Sequence, residues 1–375
     1  MKIIHIITGL GDGGAENSLY KICKYDNLNE HIVISLQGIG KYFPLLKKIG
    51  ITVYCININF FSIFKFFRII KLLRLLKPDV VQTWLVHGDF IGGIAARLSG
   101  IKNIVWNVRY SNFEVGKAKL LTIVLIKILA KLSFLLPKLI VVVSKSAKKT
   151  CKKLGYCKKK LRLITNGYNL STLKPNKYQK SYLRKIIKIK KKIPLIGTVA
   201  RYDPKKDHIN LLKALSLVRL KNIDFFCVLI GSGINKININ LIREIRRLKL
   251  NNNIKLFGAK NNIQQVMNGL DLHIQSSRYG EGFPNVVAEA MACGTPCVVT
   301  NVGDAAFIVG KTGWVVPPKN PFKLAKAIEE ALSEVNSKHW KKRSNQSRLR
   351  IKENFDIEKM LNSFNKVWTD VLDKN

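Results

Sequence analysis

At 375 residues the chain is longer than one hydrophobic core usually supports, so we expect two domains. Apolar residues make up 47% of the sequence, which is enough for buried cores and excludes a largely disordered protein. The 65 Lys and Arg residues outnumber the 23 Asp and Glu residues and give a formal charge of +42, which favours polyanionic partners.

No uninterrupted apolar run reaches the roughly 18 residues that a membrane helix requires, so we predict no membrane span. The seven cysteines form no CxxC pair, and the N-terminus does not resemble a signal peptide. These features predict a cytoplasmic protein with reduced thiols and without a metal site.

The positive charge is concentrated in the middle of the chain. No Asp or Glu occurs between Glu114 and Asp203, an interval that contains the lysine-rich stretches SKSAKKTCKKLGYCKKKLR and YLRKIIKIKKK. Such a field favours an anionic membrane surface or nucleic acid. We expect no nucleic acid, because few aromatic residues are interleaved for base stacking. A compositional bias toward lysine on solvated helices is the alternative.

In chain order, short β-branched runs alternate with stretches of helical periodicity. This alternation is typical of βαβ units and predicts a parallel sheet. In the first part of the chain the strand-like runs are KIIHIIT, HIVISL, ITVYCI, DVVQTW, NIVWNV and KLIVVVS. We assign residues 1–172 to a first α/β domain.

The alternation pauses at ITNGYNLSTLKPNKYQK, where Asn-Gly and Pro are typical of turns, and we interpret residues 173–192 as a basic linker. It resumes with IPLIGTVA, FFCVLIGSG, NIKLFG, DLHIQSS and TPCVVT, which predicts a second α/β domain over 193–350. Residues 351–375 are predicted as a C-terminal helix, with a return to the first domain as an option. Ligands of open parallel sheets bind beyond the carboxyl ends of the strands, so the loops there are the candidate sites.

A glycine-rich loop, GLGDGGAEN, follows the first predicted strand. Gly9, Gly11 and Gly14 match the dinucleotide-binding pattern GxGxxG, but the second strand ends near Gln37 instead of the acidic residue that such a site needs. We favour a loop in which Gly11, Gly13 and Gly14 let backbone amides approach a phosphate at the helix N-terminus. A purely structural tight turn is the alternative.

The second domain opens with TVARYDPKKD, which places two cations beyond its first predicted strand. Arg201 follows the strand directly, and Lys206 comes soon after it. A guanidinium fork with an ammonium group nearby is suited to a diphosphate. A solvated basic surface is the alternative.

The stretch RYGEGFPNVVAEA places two acids around one predicted helix start, in a chain that has few acids. Pro284 fits the first position of the helix, where its missing N–H is not needed. The amides of Gly282, Phe283 and Asn285 would then form an anion site at the positive end of the helix dipole.

Glu289 lies in the second turn of the same predicted helix, on the face of Asn285 and away from the apolar positions. We predict that its two carboxylate oxygens hold the vicinal hydroxyls of a ribose, and that Glu281 binds hydroxyls beyond the phosphates. A ribose, a diphosphate and a polyhydroxyl group together describe a nucleotide sugar. The alternative is that both carboxylates only cap the helix and aid solubility.

EGFPNVVAEA resembles the EX7E motif of the family 4 retaining glycosyltransferases. GGAEN, ITNGYN, GTVARYDPKKDHINLLKA and NVGDAAFIVGKTGWVVPP resemble the other landmarks of that family, in the same order. The resemblance covers nearly the whole chain. It implies an α/β GT-B fold, with two Rossmann-like parallel-sheet domains facing a central cleft, the acceptor mainly on the first and the nucleotide sugar mainly on the second.

The resemblance also implies roles for individual residues. Arg201 and Lys206 would clamp the diphosphate, Glu281 would contact the transferred sugar, and Glu289 would contact the ribose.

Two further segments follow from the same resemblance. KLFGA, with Phe257 and Gly258, would border the nucleobase. After the strand NIVWNV, many relatives have a His near the donor sugar, whereas this chain has Arg109. A branch of bacterial surface-polysaccharide enzymes carries Arg in a similar Trp-x-x-Arg setting, so Arg109 joins the predicted catalytic set.

The resemblance predicts transfer with retention of anomeric configuration, without an enzyme nucleophile, a cofactor or a metal, and the chain has no Asp-x-Asp triplet to hold one. We expect a UDP-sugar donor and a glycan acceptor linked to polyprenyl diphosphate, in O-antigen, capsule or exopolysaccharide synthesis. The basic zone would hold the enzyme at the anionic inner face of the cytoplasmic membrane. The alternatives are a sugar-nucleotide epimerase on the same fold, a glycosidase using Glu281 and Glu289, and a non-catalytic basic protein that binds membrane or nucleic acid.

Overall fold

The computed structural model describes residues 1–58, 63–109, 120–190, 192–260 and 262–373. The start of the acid-free segment, up to residue 119, and residue 191 of the predicted linker lie outside these ranges. The chain forms two compact units, which we call the first unit (Met1–Gly167 with Ile357–Asn375) and the second unit (Tyr168–Asp356).

The first unit is built on a seven-stranded parallel sheet. In chain order its strands are β1 (Lys2–Ile7), β2 (Glu30–Ser35), β3 (Thr52–Cys55), β4 (Val80–Trp84), β5 (Ile104–Val108), β6 (Leu139–Val142) and β7 (Leu161–Leu163). Across the sheet the order is β3-β2-β1-β4-β5-β6-β7. The order reverses between β1 and β4, so the loops after these two strands flank the point where open sheets bind ligands.

Helices follow the strands of the first unit, as the alternating sequence pattern predicts. They are α1 (Gly14–Tyr25), α2 (Tyr42–Lys48), α3 (Ile63–Leu76), α4 (Leu85–His87), a π-helical turn (Gly88–Gly92), α5 (Gly93–Leu98), α6 (Leu120–Leu132), α7 (Lys145–Lys153), a 3-10 turn (Lys158–Lys160) and α16 (Ile357–Leu372). None of the helices in the described ranges is both long and apolar enough to cross a bilayer.

The helices of the first unit cover both faces of its sheet. Ile3 and Ile7 of β1 pack with α1, α2 and α16, whereas Ile4 and Ile6 pack with α3, α5, α6 and α7. This division follows from the strand geometry, because successive side chains point to opposite faces. Strands covered on both sides read as continuous apolar runs, which explains KIIHII.

The second unit is built on a six-stranded parallel sheet with the order β10-β9-β8-β11-β12-β13. Its strands are β8 (Leu195–Val199), β9 (Phe226–Ile230), β10 (Ile254–Leu256), β11 (Leu272–Gln275), β12 (Cys297–Thr300) and β13 (Trp314–Val316). Its helices are α8 (Lys177–Ile187), a 3-10 turn (Pro204–Lys206), α9 (His208–Leu220), α10 (Ile239–Arg247), α11 (Ile263–Gly269), α12 (Asn285–Ala292), α13 (Ala305–Val309), α14 (Pro321–Glu334) and α15 (Lys338–Phe355).

Polar side chains start several of these helices by accepting a backbone N–H. Asn176 caps α8 within the predicted linker, and α8 packs on α11 inside the second unit. Asp207 caps α9, and Asn320 caps α14 ahead of Pro321, which suits the first helical position.

Candidate functional site

The carboxyl edge of the second sheet carries both predicted anion-binding segments. The loop after β8 contains Lys206, and the loop after β11 contains Glu281. Since β8 and β11 are neighbours in the sheet, the two loops meet, although 75 positions separate these residues in the chain. The Nζ atom of Lys206 lies 2.5 Å from Oε1 of Glu281. Two of the predicted site residues are thus in direct contact.

The carboxylate of Glu281 is held by a second donor as well. Glu281 is only 8% exposed, and Ser277 Oγ donates to its Oε1 at 2.6 Å. Gln275 Nε2 in turn donates to Ser277 Oγ at 3.2 Å. Charge-assisted hydrogen bonds of this kind fix the orientation of a buried acid. Sequence reasoning missed Ser277; the polar run that ends the strand segment DLHIQSS is the signal that could have found it.

Arg201 lies on the same loop but is mostly exposed. Its Nε atom lies 3.2 Å from Oδ2 of Asp203, whose other oxygen accepts the N–H of Lys205 at 2.9 Å. Burial raises the pKa of Asp203, but the Lys205 hydrogen bond and the Arg201 charge outweigh it and hold the pKa below its ordinary value. The ionised Asp203 therefore fixes the shape of the loop that carries Arg201 and Lys206, the two residues predicted to bind the diphosphate.

Helix α12 begins one residue later than the sequence predicts. Pro284 is the capping residue with extended backbone, and Asn285 is the first helical residue. Asn285 and Glu289 are half-buried on one face, as predicted, while Val287 is fully buried. The hydroxyl of Tyr168 donates to Asn285 Oδ1 at 2.6 Å. This buried tyrosine of the ITNGYN segment was missed as a site residue, and it holds Asn285 beside the helix start.

The loop between Glu281 and α12 is packed tightly against the turn at Gly303. Gly303 has φ +62, and a Cβ atom there would lie 2.5 Å from the carbonyl oxygen of Glu281. The N–H of Asp304 donates to the carbonyl of Gly282 at 2.9 Å. The ring of Phe283 is buried and meets Phe355 edge-on at 5.4 Å between centroids. Phe283 thus fills the interior with its side chain, and any ligand contact would come from its backbone.

The predicted base-binding segment follows β10. Gly258 has φ +63; its N–H donates to Ile234, and its carbonyl accepts from Gly231, both at 2.8 Å. The ammonium groups of Lys255 and Lys260 lie 5.5 and 5.6 Å from the ring centroid of Phe257. Phe257 also lines a cavity of about 140 Å³ beside α8 and α11. The role of this segment at a nucleobase stays a prediction.

A larger cavity of about 470 Å³ lies at the same carboxyl edge. Its walls come from the loop after β8, the start of α9, and the loops after β11 and β13. Three of the lining residues are cationic, namely Lys213, Arg278 and Lys319. Two carboxylates, Asp203 and Asp207, line it as well, so the cavity by itself does not identify an anion site.

The remaining predicted residues belong to the first unit. Gly13 caps α1 and Gly14 is its first residue. A Cβ atom at Gly13 would lie 2.3 Å from Oε2 of Glu16. Burial, followed by the charge of Asp12, raises the pKa of Glu16. A phosphate at this helix start would therefore lie close to a carboxyl group, an arrangement that weakens anion binding unless Glu16 is protonated.

Arg109 connects three parts of the first unit. Its Nε donates to Asn107 Oδ1 at 2.9 Å. Its Nη1 donates to Ser18 Oγ on α1 at 3.1 Å and to Asn166 Oδ1, after β7, at 2.5 Å. The guanidinium carbon lies 5.0 Å from the ring of Trp84. Arg109 thus holds the carboxyl end of the sheet together, while its catalytic role stays a prediction.

A buried acid that sequence reasoning missed lies after β4. Asp89 accepts from Thr83 Oγ1 at 2.6 Å, and burial raises its pKa to about 8. It belongs to the π-helical turn Gly88–Gly92, just after Leu85 with φ +67. Such turns and strained residues cluster at functional sites. The single acid in the apolar segment HGDFIGG is the signal that could have found it.

Three buried side chains, His5, His31 and Cys23, bring potential metal-ligating atoms within 4.8 Å of one another. The indole N–H of Trp84 donates to His5 Nδ1 at 3.2 Å, so His5 Nε2 carries the proton toward His31 Nδ1 at 3.0 Å. His31 Nε2 then faces Asp26 Oδ2 at 3.2 Å. This series of hydrogen bonds occupies all four ring nitrogens of His5 and His31. Hydrogen bonding between neighbouring strands therefore explains why the two histidines lie together.

Comparison with protein families finds matches over both units. Residues 13–172 match glycosyltransferase family 4, and residues 179–350 match the glycosyl transferases group 1. The "UDP-Gal:alpha-D-GlcNAc-diphosphoundecaprenol alpha-1,3-galactosyltransferase" of Escherichia coli is 27% identical over 254 residues, which are 66% of this chain and 64% of that protein. The "Capsular polysaccharide biosynthesis glycosyltransferase CapH" of Staphylococcus aureus is 24% identical over 77% of this chain and 78% of its own.

Solved structures share the fold. The crystal structure of Anabaena Alr3699/HepE in complex with UDP has a TM-score of 0.87 at 20% identity, covering 99% of this chain and all of that one. The two parallel-sheet units and these matches confirm the predicted GT-B fold. Each half of the chain thus matches a glycosyltransferase family model, the second half that of the glycosyl transferases group 1.

Proposed function

We propose that this chain is a retaining, metal-independent glycosyltransferase that moves a sugar from a UDP-sugar to a glycan carried on polyprenyl diphosphate. The observation that carries the proposal is the buried carboxylate of Glu281, which forms an ion pair with Lys206 and accepts a hydrogen bond from Ser277 at the carboxyl edge of the second sheet. The donor and acceptor named for the E. coli relative, and the UDP in the Anabaena structure, support the choice of substrates.

The leaving diphosphate is the group that most needs stabilisation. As the bond from the sugar C1 to the phosphate oxygen breaks, negative charge grows on the diphosphate. Arg201 and Lys206 are placed on one loop to receive it, and such preorganised charge is usually the largest catalytic term. The acceptor oxygen attacks the same face of the sugar, and its proton passes to a leaving phosphate oxygen. These side chains supply the positive charge that a metal ion otherwise would.

Glu281 acts as an orienting group in this scheme. Its Oε1 accepts from the Ser277 hydroxyl, a donor that stays in place when Lys206 binds the diphosphate and that fixes the direction of the carboxylate. It binds hydroxyls of the transferred sugar, and Glu289 on α12 binds the ribose. The diphosphoundecaprenol acceptor named for the E. coli relative and the capsular polysaccharide synthesis named for the S. aureus relative support a role in surface-polysaccharide synthesis, which we propose takes place at the cytoplasmic face of the membrane.

Calorimetric titration with UDP-, GDP-, ADP- and dTDP-sugars tests the donor. We expect one UDP-sugar to bind, and Glu289→Gln to weaken it by about tenfold, since one charged hydrogen bond contributes about 1.5 kcal/mol or more. Indifference of the purified chain to all of these donors would refute the proposal.

The product then tests the reaction. We expect an α-linked product from an α-linked donor by NMR, at a rate that EDTA does not change. Inversion, or loss of activity in EDTA that Mg²⁺ or Mn²⁺ restores, would contradict the mechanism. Release of a free epimerised sugar would identify the chain as an epimerase.

A further inference from the structure

One helical layer of the first unit differs sharply in charge from the layer on the opposite face of the same sheet. Helices α3, α5, α6 and α7 together carry twelve Lys or Arg residues and no Asp or Glu. Helices α1, α2 and α16 carry six Lys residues and three acids. A lysine-rich composition would affect both layers alike, so it does not explain this asymmetry.

Helix α3 has an unusual solvent face. Its core-facing residues include Ile69 and Leu73, which are fully buried. On the other side, Phe64 is 85% exposed and Phe67 is 56% exposed, with Arg68 one position further along. The exposed side of a surface helix is normally polar. An exposed apolar stripe, in addition to the one that faces the core, is typical of a surface that binds another molecule or a membrane.

Helix α6 repeats this arrangement. Ile126 and Leu129 are buried in the core, whereas Leu121 is 79% exposed, and Val124 and Ile128 are also exposed. The spacing of the three exposed residues places them on one side of the helix. Lys127 and Lys131 are exposed on the same helix, and no acid accompanies them.

Hydrogen bonds join these helices into one continuous layer. Arg74 at the end of α3 donates to the Leu98 carbonyl of α5 at 3.0 Å. Arg97 of α5 donates to the Leu135 carbonyl, just after α6, at 2.8 Å. Each helix after a parallel strand begins at the carboxyl edge of the sheet, so the first turns of α3 and α6 lie toward the ligand-binding edge.

We propose that this α3–α6 face docks on an anionic lipid bilayer. The exposed Phe, Leu, Val and Ile side chains would enter the headgroup region, while the Lys and Arg side chains reach lipid phosphates. The aliphatic stripe on α6 favours a bilayer over nucleic acid, which offers such side chains no binding surface. The inference rests on the proposed function only in that the acceptor is lipid-linked. Docking through this face would place the ligand-binding edge of the first unit near that acceptor.

Flotation of the full chain with lipid vesicles tests the face. The vesicles contain phosphatidylcholine alone or mixed with phosphatidylglycerol. We expect binding to the mixed vesicles only, and at least a tenfold weaker partition for Lys127→Glu/Lys131→Glu on α6 and for Phe64→Ser/Phe67→Ser on α3. The matched control is Lys47→Glu/Lys48→Glu on α2, which makes the same charge change on the opposite layer and should bind nearly as the wild type does.

Equal losses of vesicle binding for the charge-reversed pairs on α6 and α2 would show a general charge effect and overturn the proposal. Vesicle binding at the wild-type level by the α3 and α6 variants would overturn it as well. Binding to phosphatidylcholine alone, or no vesicle binding at all, would also overturn it. UDP-sugar titration of the same variants separates this outcome from failure of the proposed function, because donor binding should be unchanged in all of them. Tighter binding to RNA than to the mixed vesicles would also overturn the proposal, in favour of a nucleic-acid partner.

Discussion

Lys206 in the second unit lies against the carboxylate of Glu281, whereas Arg109 in the first unit donates to side-chain oxygens of Asn107, Ser18 and Asn166. An ammonium group on a flexible stem can exchange one anion for another when a diphosphate arrives. A guanidinium that donates to three side chains at once cannot move without breaking several hydrogen bonds. We therefore expect Lys206 to exchange one anionic partner for another, and Arg109 to hold its surroundings in place.

The strongest test of this contrast is Lys206→Ala. We expect kcat to fall by about 10²–10³, since one preorganised group at a developing charge typically contributes that much. Initial rates with the UDP-sugar found by titration provide the measurement. Lys205→Ala, at the next position of the same loop, is the control and should retain most of the activity. Similar rates for both variants would remove Lys206 from the reaction.

Arg109→Lys tests the other side of the comparison. We expect a loss of about 2 kcal/mol in the free energy of unfolding, because amide and hydroxyl groups inside the first unit lose their donor. Denaturant titration measures it, with Arg162→Lys, whose guanidinium donates to carbonyls of neighbouring residues, as the control. If Arg109→Lys instead kept its stability and lost turnover, Arg109 would act at the reacting sugar, as the resemblance implies.

Ser277→Ala sharpens the description of the second unit. Without the Ser277 hydroxyl, Glu281 is held by fewer donors, and we expect kcat to fall about tenfold, equivalent to about 1.4 kcal/mol. The same substitution in a Glu281→Gln background should have a clearly smaller effect. Equal effects in both backgrounds would mean that Ser277 acts only on folding.

Asp89→Asn examines a buried carboxyl group in the first unit. Asp89 has a pKa of about 8 in the folded chain against an ordinary value of 3.8. The folded state keeps this proton over that interval and the unfolded state does not, so stability falls as the pH rises from about 4 to about 8. We expect Asp89→Asn to reduce the slope of unfolding free energy against pH by about 1 kcal/mol per unit. An unchanged slope between pH 5 and 8 would show that Asp89 is ionised throughout.

The alternation of apolar runs and helical periodicity was sufficient to predict both parallel sheets, because strands buried on two faces leave a continuous apolar signal. The helix start near Pro284 was predicted to within one residue from the chemistry of proline. The half-buried face of Asn285 and Glu289 followed from helical spacing.

Contacts between distant segments could not be predicted in this way. The pairing of Lys206 with Glu281 depends on β8 and β11 being neighbours, a fact of topology that no local pattern contains. The Tyr168 hydroxyl and the Ser277 hydroxyl are selected by geometry, and serine and tyrosine are too common to stand out. The pKa of Asp89 depends on burial by surrounding elements, which becomes visible only in the folded chain.

Helix α16 has a consequence for biosynthesis. Its Trp368 is fully buried in the core of the first unit and donates to Gln82 of β4 at 2.5 Å. The ribosome makes α16 only after the whole second unit, although nascent chains otherwise fold domain by domain from the N-terminus. The part of the apolar sheet face that α16 covers therefore stays exposed during translation of the second unit, although α1 and α2 already pack on the rest of that face. That interval is when we expect the nascent chain to depend most on chaperones.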